Sequence, residues 1–110
     1  GAYSYSASKA AVHHLTRILA NELASRHITV NAFAPGPFRS RMMAFATDDP
    51  GRRARMEAAV PLGRIGGPDD IAAALLFLVG RGGAYTTGAI LPVDGGLHVV
   101  AGTGVLGEDE

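Results

Sequence analysis

The chain has no cysteine, a single lysine, and no apolar run long enough to cross a bilayer. Without thiols there is neither a disulfide framework nor a thiolate metal site, which is compatible with cytoplasm. The longest strongly apolar stretch, 71–80, is about half of what a membrane span requires. No basic segment followed by an apolar core opens the chain, so nothing reads as a secretory signal. His13, His14, His27 and His98 have no partners at metal-ligand spacing such as H-E-x-x-H. No metal site is expected, and all four read as helix-surface or boundary residues. Net charge is zero, and basic and aromatic residues do not interleave, so nucleic acid is not an expected partner. An initiating methionine is absent too, and 110 residues are few for a parallel α/β domain, which often runs to roughly 200–250. The chain reads as a fragment.

What is present argues for a packed globular protein, because 47% of the residues are hydrophobic. Charge is unevenly spread: residues 39–64 carry a local excess of +3, and residues 65–110 a balance of −5. From about Ser6 to Arg26 apolar residues recur at three and four, as Ala7, Ala11, Leu15 and Ile18 beside Val12, Leu19 and Leu23. This pattern predicts a well-buried helix. Ile28 to Ala34 is short, β-rich and mostly apolar, as in a strand buried on both faces of a parallel sheet, and Pro35-Gly36-Pro37 stops it. Residues 38–60 predict one or two short helices. Gly66-Gly67-Pro68-Asp69-Asp70 opens another helix, with proline at its first position and acids facing the positive dipole end. That helix ends at Gly80, a second strand follows at Ala89 to Val93, and the glycine-rich acidic end beyond Val100 reads as a frayed tail. Helix, strand, helix, strand in apolar alternation is half of a doubly wound α/β sheet, and no internal repeat is visible. Ligands of such sheets bind outside the carboxyl ends of the strands, so the loop Pro35 to Ser40 is where a cofactor is expected.

The lone lysine carries the sharpest signal. Lys9 follows Tyr5 by four residues in Tyr5-Ser6-Ala7-Ser8-Lys9, on the long helical pattern, while the other nine basic side chains are arginine. Positions i and i+4 of a helix are stacked neighbours, so phenol and ammonium share a face with Val12 and Thr16. A phenol titrates near pH ~10, too high for proton exchange at neutrality, and a fixed positive charge beside it favours the phenolate. Such a pair suits general acid–base work; an ordinary solvated helix pair has the same spacing.

Four elements in order carry a resemblance. They are Tyr5-Ser6-Ala7-Ser8-Lys9; Val30-Asn31-Ala32-Phe33-Ala34-Pro35-Gly36; Pro61-Leu62-Gly63-Arg64 before Gly67-Pro68-Asp69-Asp70-Ile71; and Tyr85-Thr86-Thr87-Gly88 leading to Val93-Asp94-Gly95-Gly96. Over roughly residues 2–98 the chain resembles the C-terminal half of the short-chain dehydrogenase/reductase family. Pro35-Gly36-Pro37-Phe38 and Gly83 to Gly88 bring it nearest to bacterial β-ketoacyl reductases of the rhamnolipid type.

The resemblance implies a Rossmann-type, three-layer αβα domain with a doubly wound parallel sheet. Residues 1–100 would be its C-terminal part and 101–110 a flexible tail. It implies an NAD(P)(H)-dependent oxidoreductase interconverting a carbonyl and a secondary alcohol, most plausibly a β-ketoacyl substrate, with NADP favoured. Tyr5 would be the general acid or base, and Lys9 would lower its pKa and hold the nicotinamide ribose hydroxyls. The main chain near Pro35, Gly36 and Phe38 would flank the nicotinamide, and Ser40 stands where relatives carry threonine. The family's catalytic serine, its helix asparagine and its glycine-rich phosphate loop lie upstream of the tyrosine. The 110 residues alone are therefore expected to be inactive, with apolar surface left exposed. His27 occupies a helix end where relatives have glycine, so a left-handed cap there is expected to carry strain.

Several alternatives stay open. The alternatives are a truncated, non-catalytic assembly module, or a relative acting on a sugar, polyol or steroid-like alcohol. Met42, Met43 and Phe45 suit either an acyl pocket or a lid packing on its own core. The arginines from Arg39 to Arg55 suit either a solvated face or contact with an acyl carrier protein. The resemblance also implies a homodimer or homotetramer through the long helix and the last helix and strand; the alternative is that these elements cover their own sheet. A membrane partner is not expected.

Overall fold

Helical spacing in the first quarter of the chain yields one 22-residue helix, α1 (Ala2–Leu23), continued by a 3-10 turn at Ala24–Arg26. The computed structural model describes residues 2–40 and 44–100. His27 closes the first helix in the left-handed region, with φ 61° and ψ 35°, and its N–H donates to the Ala24 carbonyl at 2.9 Å. The strained cap expected at this histidine is what forms. Next come β1 (Ala32–Pro35), α2 (Ala44–Thr47), α3 (Pro50–Ala59), α4 (Pro68–Val79), a 3-10 turn at Arg81–Gly83, and β2 (Ile90–Val93). A further helical turn occupies 97–100. The expected tail beyond Val100 lies outside the described residues.

Sequence chemistry sets the helix starts. Asp49 caps α3 by accepting the Arg52 N–H at 3.1 Å, and Pro50 fills the first helical position. At α4, Gly67 precedes Pro68, and the Asp70 carboxylate reaches back to accept the Gly67 N–H at 2.8 Å. An acid at the third helical position bonding back to the cap residue is half of a capping box.

β1 and β2 pair in one two-stranded sheet. The Ala32 N–H donates to Ala89 and the Gly36 N–H to Val93, so both strands advance in the same sense and the pairing is parallel. β1 is shorter and later than the expected strand at 28–34. Competing bonds explain the shift. Thr87 Oγ1 accepts the Val30 N–H at 3.0 Å, the Val30 carbonyl accepts the Gly88 N–H at 2.7 Å, and the Asn31 amide bridges the Thr86 carbonyl and the Ala89 N–H. Those groups are spent on side-chain and loop partners before the ladder begins.

The described residues cluster in two compact units, one from those up to Phe33 with Leu75–Leu91, the other from those in 34–74 with those from Pro92 on. In the first, Thr16 and Ala20 are buried among the described side chains of α1, and a Cβ added at Gly88, which sits at φ 74°, would lie 3.4 Å from the Ala20 methyl. In the second, Val60 and Ile65 form the apolar centre.

Two burial expectations are corrected. α1 is not well buried, since Val12, Leu15 and Ile18 are 54%, 52% and 48% exposed. β1 is half-buried and ends exposed at Pro35 rather than being covered on both faces. Two four-residue strands present too little apolar surface to cover a helix of this length.

Candidate active site

Tyr5 and Lys9 stand one turn apart within α1, the spacing required for phenol and ammonium to share a face. Lys9 is half-buried, and the Tyr5 side chain lies outside what the structure describes. Two turns beyond Lys9, Thr16 donates from Oγ1 to the Val12 carbonyl at 2.8 Å, which lets a hydroxyl stay buried inside the helix.

The loop leaving β1 belongs to the second unit. All six residues from Pro35 to Ser40, with Pro68 and Ile71 of α4, line one cavity of about 530 Å³. Pro35, Gly36, Phe38 and Ser40, the four positions expected to flank a nicotinamide, are thus brought together. Glycine is required at the second of them, because a Cβ on Gly36 would lie 2.7 Å from the Asp94 Cβ and 2.9 Å from its Cα. Phe38 pairs with Gly66 in an isolated parallel bridge: the Arg39 N–H donates to the Gly66 carbonyl, and the Gly66 N–H to Pro37, both at 2.9 Å. A Cβ on Gly66 would run into the Phe38 ring. The loop is therefore held from both ends by backbone contacts that admit no side chain.

Two charged pairs brace this loop. Arg64 grips Asp70 through two N–H···O bonds of 2.9 and 2.8 Å. Hydrogen bonding from Arg64, then from the Gly67 N–H, holds the Asp70 carboxyl well below the usual carboxylate range, with the Arg64 and Arg39 charges adding to it against partial desolvation. Asp94, 9% exposed at its side chain, accepts from the Gly96 N–H at 2.9 Å, the His98 N–H at 2.9 Å and the His98 ring at 3.0 Å. Burial pushes the Asp94 carboxyl up, and the His98 ring bond with the two backbone bonds outweighs it, leaving a net downward shift. Both pairs border a smaller cavity of about 300 Å³ that also meets Pro37 and Phe38. Reading the sequence alone missed them. Asp94 and His98 stand at i and i+4, a legible signal; Arg64 and Asp70 are joined across a turn that no periodicity marks.

Other candidates resolve more simply. No group of three or more potential metal ligands occurs among the described residues. His98 is an Asp94 partner, and His13 is half-buried on α1, a boundary position. Met42 and Met43, offered for an acyl pocket, and Arg41 lie outside the described residues. Phe45 is 66% exposed, and the Arg52 guanidinium stands 5.9 Å from its ring centre. No helix among the described residues is long and apolar enough to cross a membrane.

A family model described as enoyl-(acyl carrier protein) reductase matches residues 1–98. The chain is similar to the rhamnolipids biosynthesis 3-oxoacyl-(acyl-carrier-protein) reductase of Pseudomonas aeruginosa, 48% identical over 98 residues, covering 89% of this chain and 38% of the relative. It is similar also to galactitol 2-dehydrogenase (L-tagatose-forming) of Cereibacter sphaeroides, 49% identical over 98 residues, covering 89% of this chain and 39% of that enzyme. Among solved structures, the Pseudomonas aeruginosa RhlG/NADP active-site complex superposes with a TM-score of 0.83 at 48% identity, over 87% of this chain and 38% of that one. The chain thus spans well under half the length of the relatives it matches. By its motifs, its α/β fold of Rossmann type and these likenesses, the chain belongs to the short-chain dehydrogenase/reductase family.

Proposed function

We propose that the full-length protein is an NADP-dependent oxidoreductase that interconverts a carbonyl and a secondary alcohol. Residues 1–100 belong to a single NAD(P)-binding domain in this reading, and 101–110 form a tail. The observation that carries it is the gathering of Pro35, Gly36, Phe38 and Ser40 around one cavity at the carboxyl end of β1, in a chain whose α1 holds Tyr5 and Lys9 one turn apart. A cavity of about 530 Å³ lies within the range of small-molecule and cofactor sites, and its lining of proline, glycine, phenylalanine and isoleucine, with the Ser40 hydroxyl and Arg39 as its polar groups, suits a flat ring bearing a polar substituent. The residues present fit the nicotinamide end of the cofactor.

The bound dinucleotide supplies or accepts the hydride. The protein does the rest. Tyr5 donates its phenolic proton to the carbonyl oxygen as that oxygen gains charge, and takes a proton back in the alcohol direction. Lys9 stabilises the phenolate and offers its remaining donors to the ribose hydroxyls; an ammonium on a narrow stem serves two partners more readily than a planar guanidinium. The main chain of Pro35 to Phe38 orients the ring, and Ser40 hydrogen-bonds its carboxamide.

The similarity to a 3-oxoacyl-(acyl-carrier-protein) reductase favours a β-ketoacyl substrate on a carrier protein, with the arginines around Arg52, Arg53 and Arg55 available to an acidic carrier surface. The similarity to a galactitol dehydrogenase favours polyols as the second reading. Initial rates on acetoacetyl-carrier protein and on galactitol separate the two, and failure of the full-length protein to bind either nicotinamide dinucleotide rejects the oxidoreductase reading. The exposed apolar residues Val12, Leu15 and Ile18 of α1, and Leu76, Phe77 and Val79 of α4, support assembly as a homodimer or homotetramer. Sedimentation of the full-length protein as a monomer at micromolar concentration would exclude it. A cytoplasmic site of action follows from carrier-linked acyl chemistry.

A further inference from the structure

We infer that His98 is a positioning residue for the nicotinamide end of the cofactor, acting through Asp94 on the backbone of Gly36; this rests on the oxidoreductase reading above. Asp94 meets the loop at a contact with no slack, where even one added methyl on Gly36 would fall 2.7 Å from the Asp94 Cβ. The Gly36 N–H is tied to the preceding carbonyl of β2, that of Val93, at 3.0 Å. The position of Gly36 is thus tied to Val93 by a hydrogen bond and to Asp94 by an approach that leaves no room for a side chain, so a tilt of Asp94 moves the Val93 carbonyl and the loop bonded to it.

What fixes Asp94 is its carboxylate. Two of its donors, the N–H groups of Gly96 and His98, come from the turn that Asp94 itself caps. The third is the His98 ring, whose Nδ1 lies 3.0 Å from each carboxylate oxygen. A ring nitrogen facing a carboxylate carries its proton there, so the imidazole donates across both oxygens and locks the plane of the group. Arg64 and Asp70, the charged side chains facing the same cavity, are paired with each other at 2.8 Å and do not compete for Asp94 or His98. His98 therefore completes a chain running from a ring on the last helical turn, through one carboxylate, to the glycine against which the nicotinamide would rest.

The test uses the full-length protein as wild type, His98→Phe and His98→Asn, with three measurements. These are the NADPH dissociation constant by nicotinamide fluorescence, kcat at saturating cofactor, and the Gly36 amide resonance. His98→Phe should weaken NADPH binding roughly three- to tenfold, the scale of one ordinary net hydrogen bond. It should leave kcat within about twofold and shift the Gly36 resonance. His98→Asn returns an amide donor to the same carboxylate and should recover most of the affinity. Wild-type NADPH affinity in His98→Phe overturns the inference while the oxidoreductase reading stands. Loss of kcat without loss of affinity overturns it too. Failure of the wild type to bind any nicotinamide dinucleotide overturns the oxidoreductase reading and the cofactor role together; the Gly36 resonance then still reports the linkage, and its constancy in His98→Phe sinks that as well. His98→Ala is read by the same criteria should the phenylalanine variant not fold.

Discussion

Arg64 and Asp70 meet in a forked pair, 2.9 and 2.8 Å, that joins the turn before α4 to the helix's first turn. Arg64 is 58% exposed at its side chain, so the attraction itself is heavily screened and the pair matters through geometry. By holding Asp70 against the Gly67 N–H, it fixes where α4 begins and therefore where Gly66 meets Phe38.

The pair carries a pH signature. The folded-state pKa of Asp70 is depressed, so its contribution to stability is complete above the unfolded value, near ~4, and is lost as pH falls through the folded value. Asp70→Asn should flatten the acid limb of the stability curve and leave thermal stability above pH ~6 lower than wild type. An acid limb identical to that of wild type would show that the carboxylate is not linked to folding.

Gly36→Ala should destabilise the protein by about 1–3 kcal/mol through overpacking, because the added methyl would fall 2.7 Å from the Asp94 Cβ and 2.9 Å from its Cα. Denaturant titration reads the loss. A raised NADPH dissociation constant should accompany it, since the displaced segment lines the larger cavity.

Tyr5→Phe removes the proton donor and keeps the ring, and should lower kcat by about 10²–10⁴ in the full-length enzyme. Lys9→Met should lower kcat and raise the cofactor KM together, because the ammonium serves both phenol and ribose. Steady-state kinetics with varied cofactor separates the two patterns. Full turnover in Tyr5→Phe removes Tyr5 from the chemistry.

His27→Gly should raise stability by up to about 1 kcal/mol, the cost of a left-handed residue with a Cβ less the extra freedom glycine gains when unfolded. Thermal melts of the two proteins suffice to check the sign.

Most of this architecture is legible along the chain. Apolar periodicity marks α1, Gly67-Pro68 marks the start of α4, and Pro35-Gly36-Pro37 ends β1 within one residue of where it stops. The Tyr5–Lys9 spacing needs only the helical repeat, and the left-handed cap at His27 only the helix end beside it. Each of these is a short-range property, set by backbone sterics within a few residues. Tertiary structure alone decided the rest. Whether Val30 and Asn31 enter the ladder depends on Thr86 to Ala89, far along the chain. The glycine at 36 is demanded by the backbone of Asp94, and the one at 66 by the ring of Phe38. The amphipathic pattern of α1 likewise specifies a face to be covered but not what covers it. Close approach and burial are properties of pairs brought together by folding, and a one-dimensional pattern encodes the tendency of each residue, not the identity of its distant neighbour.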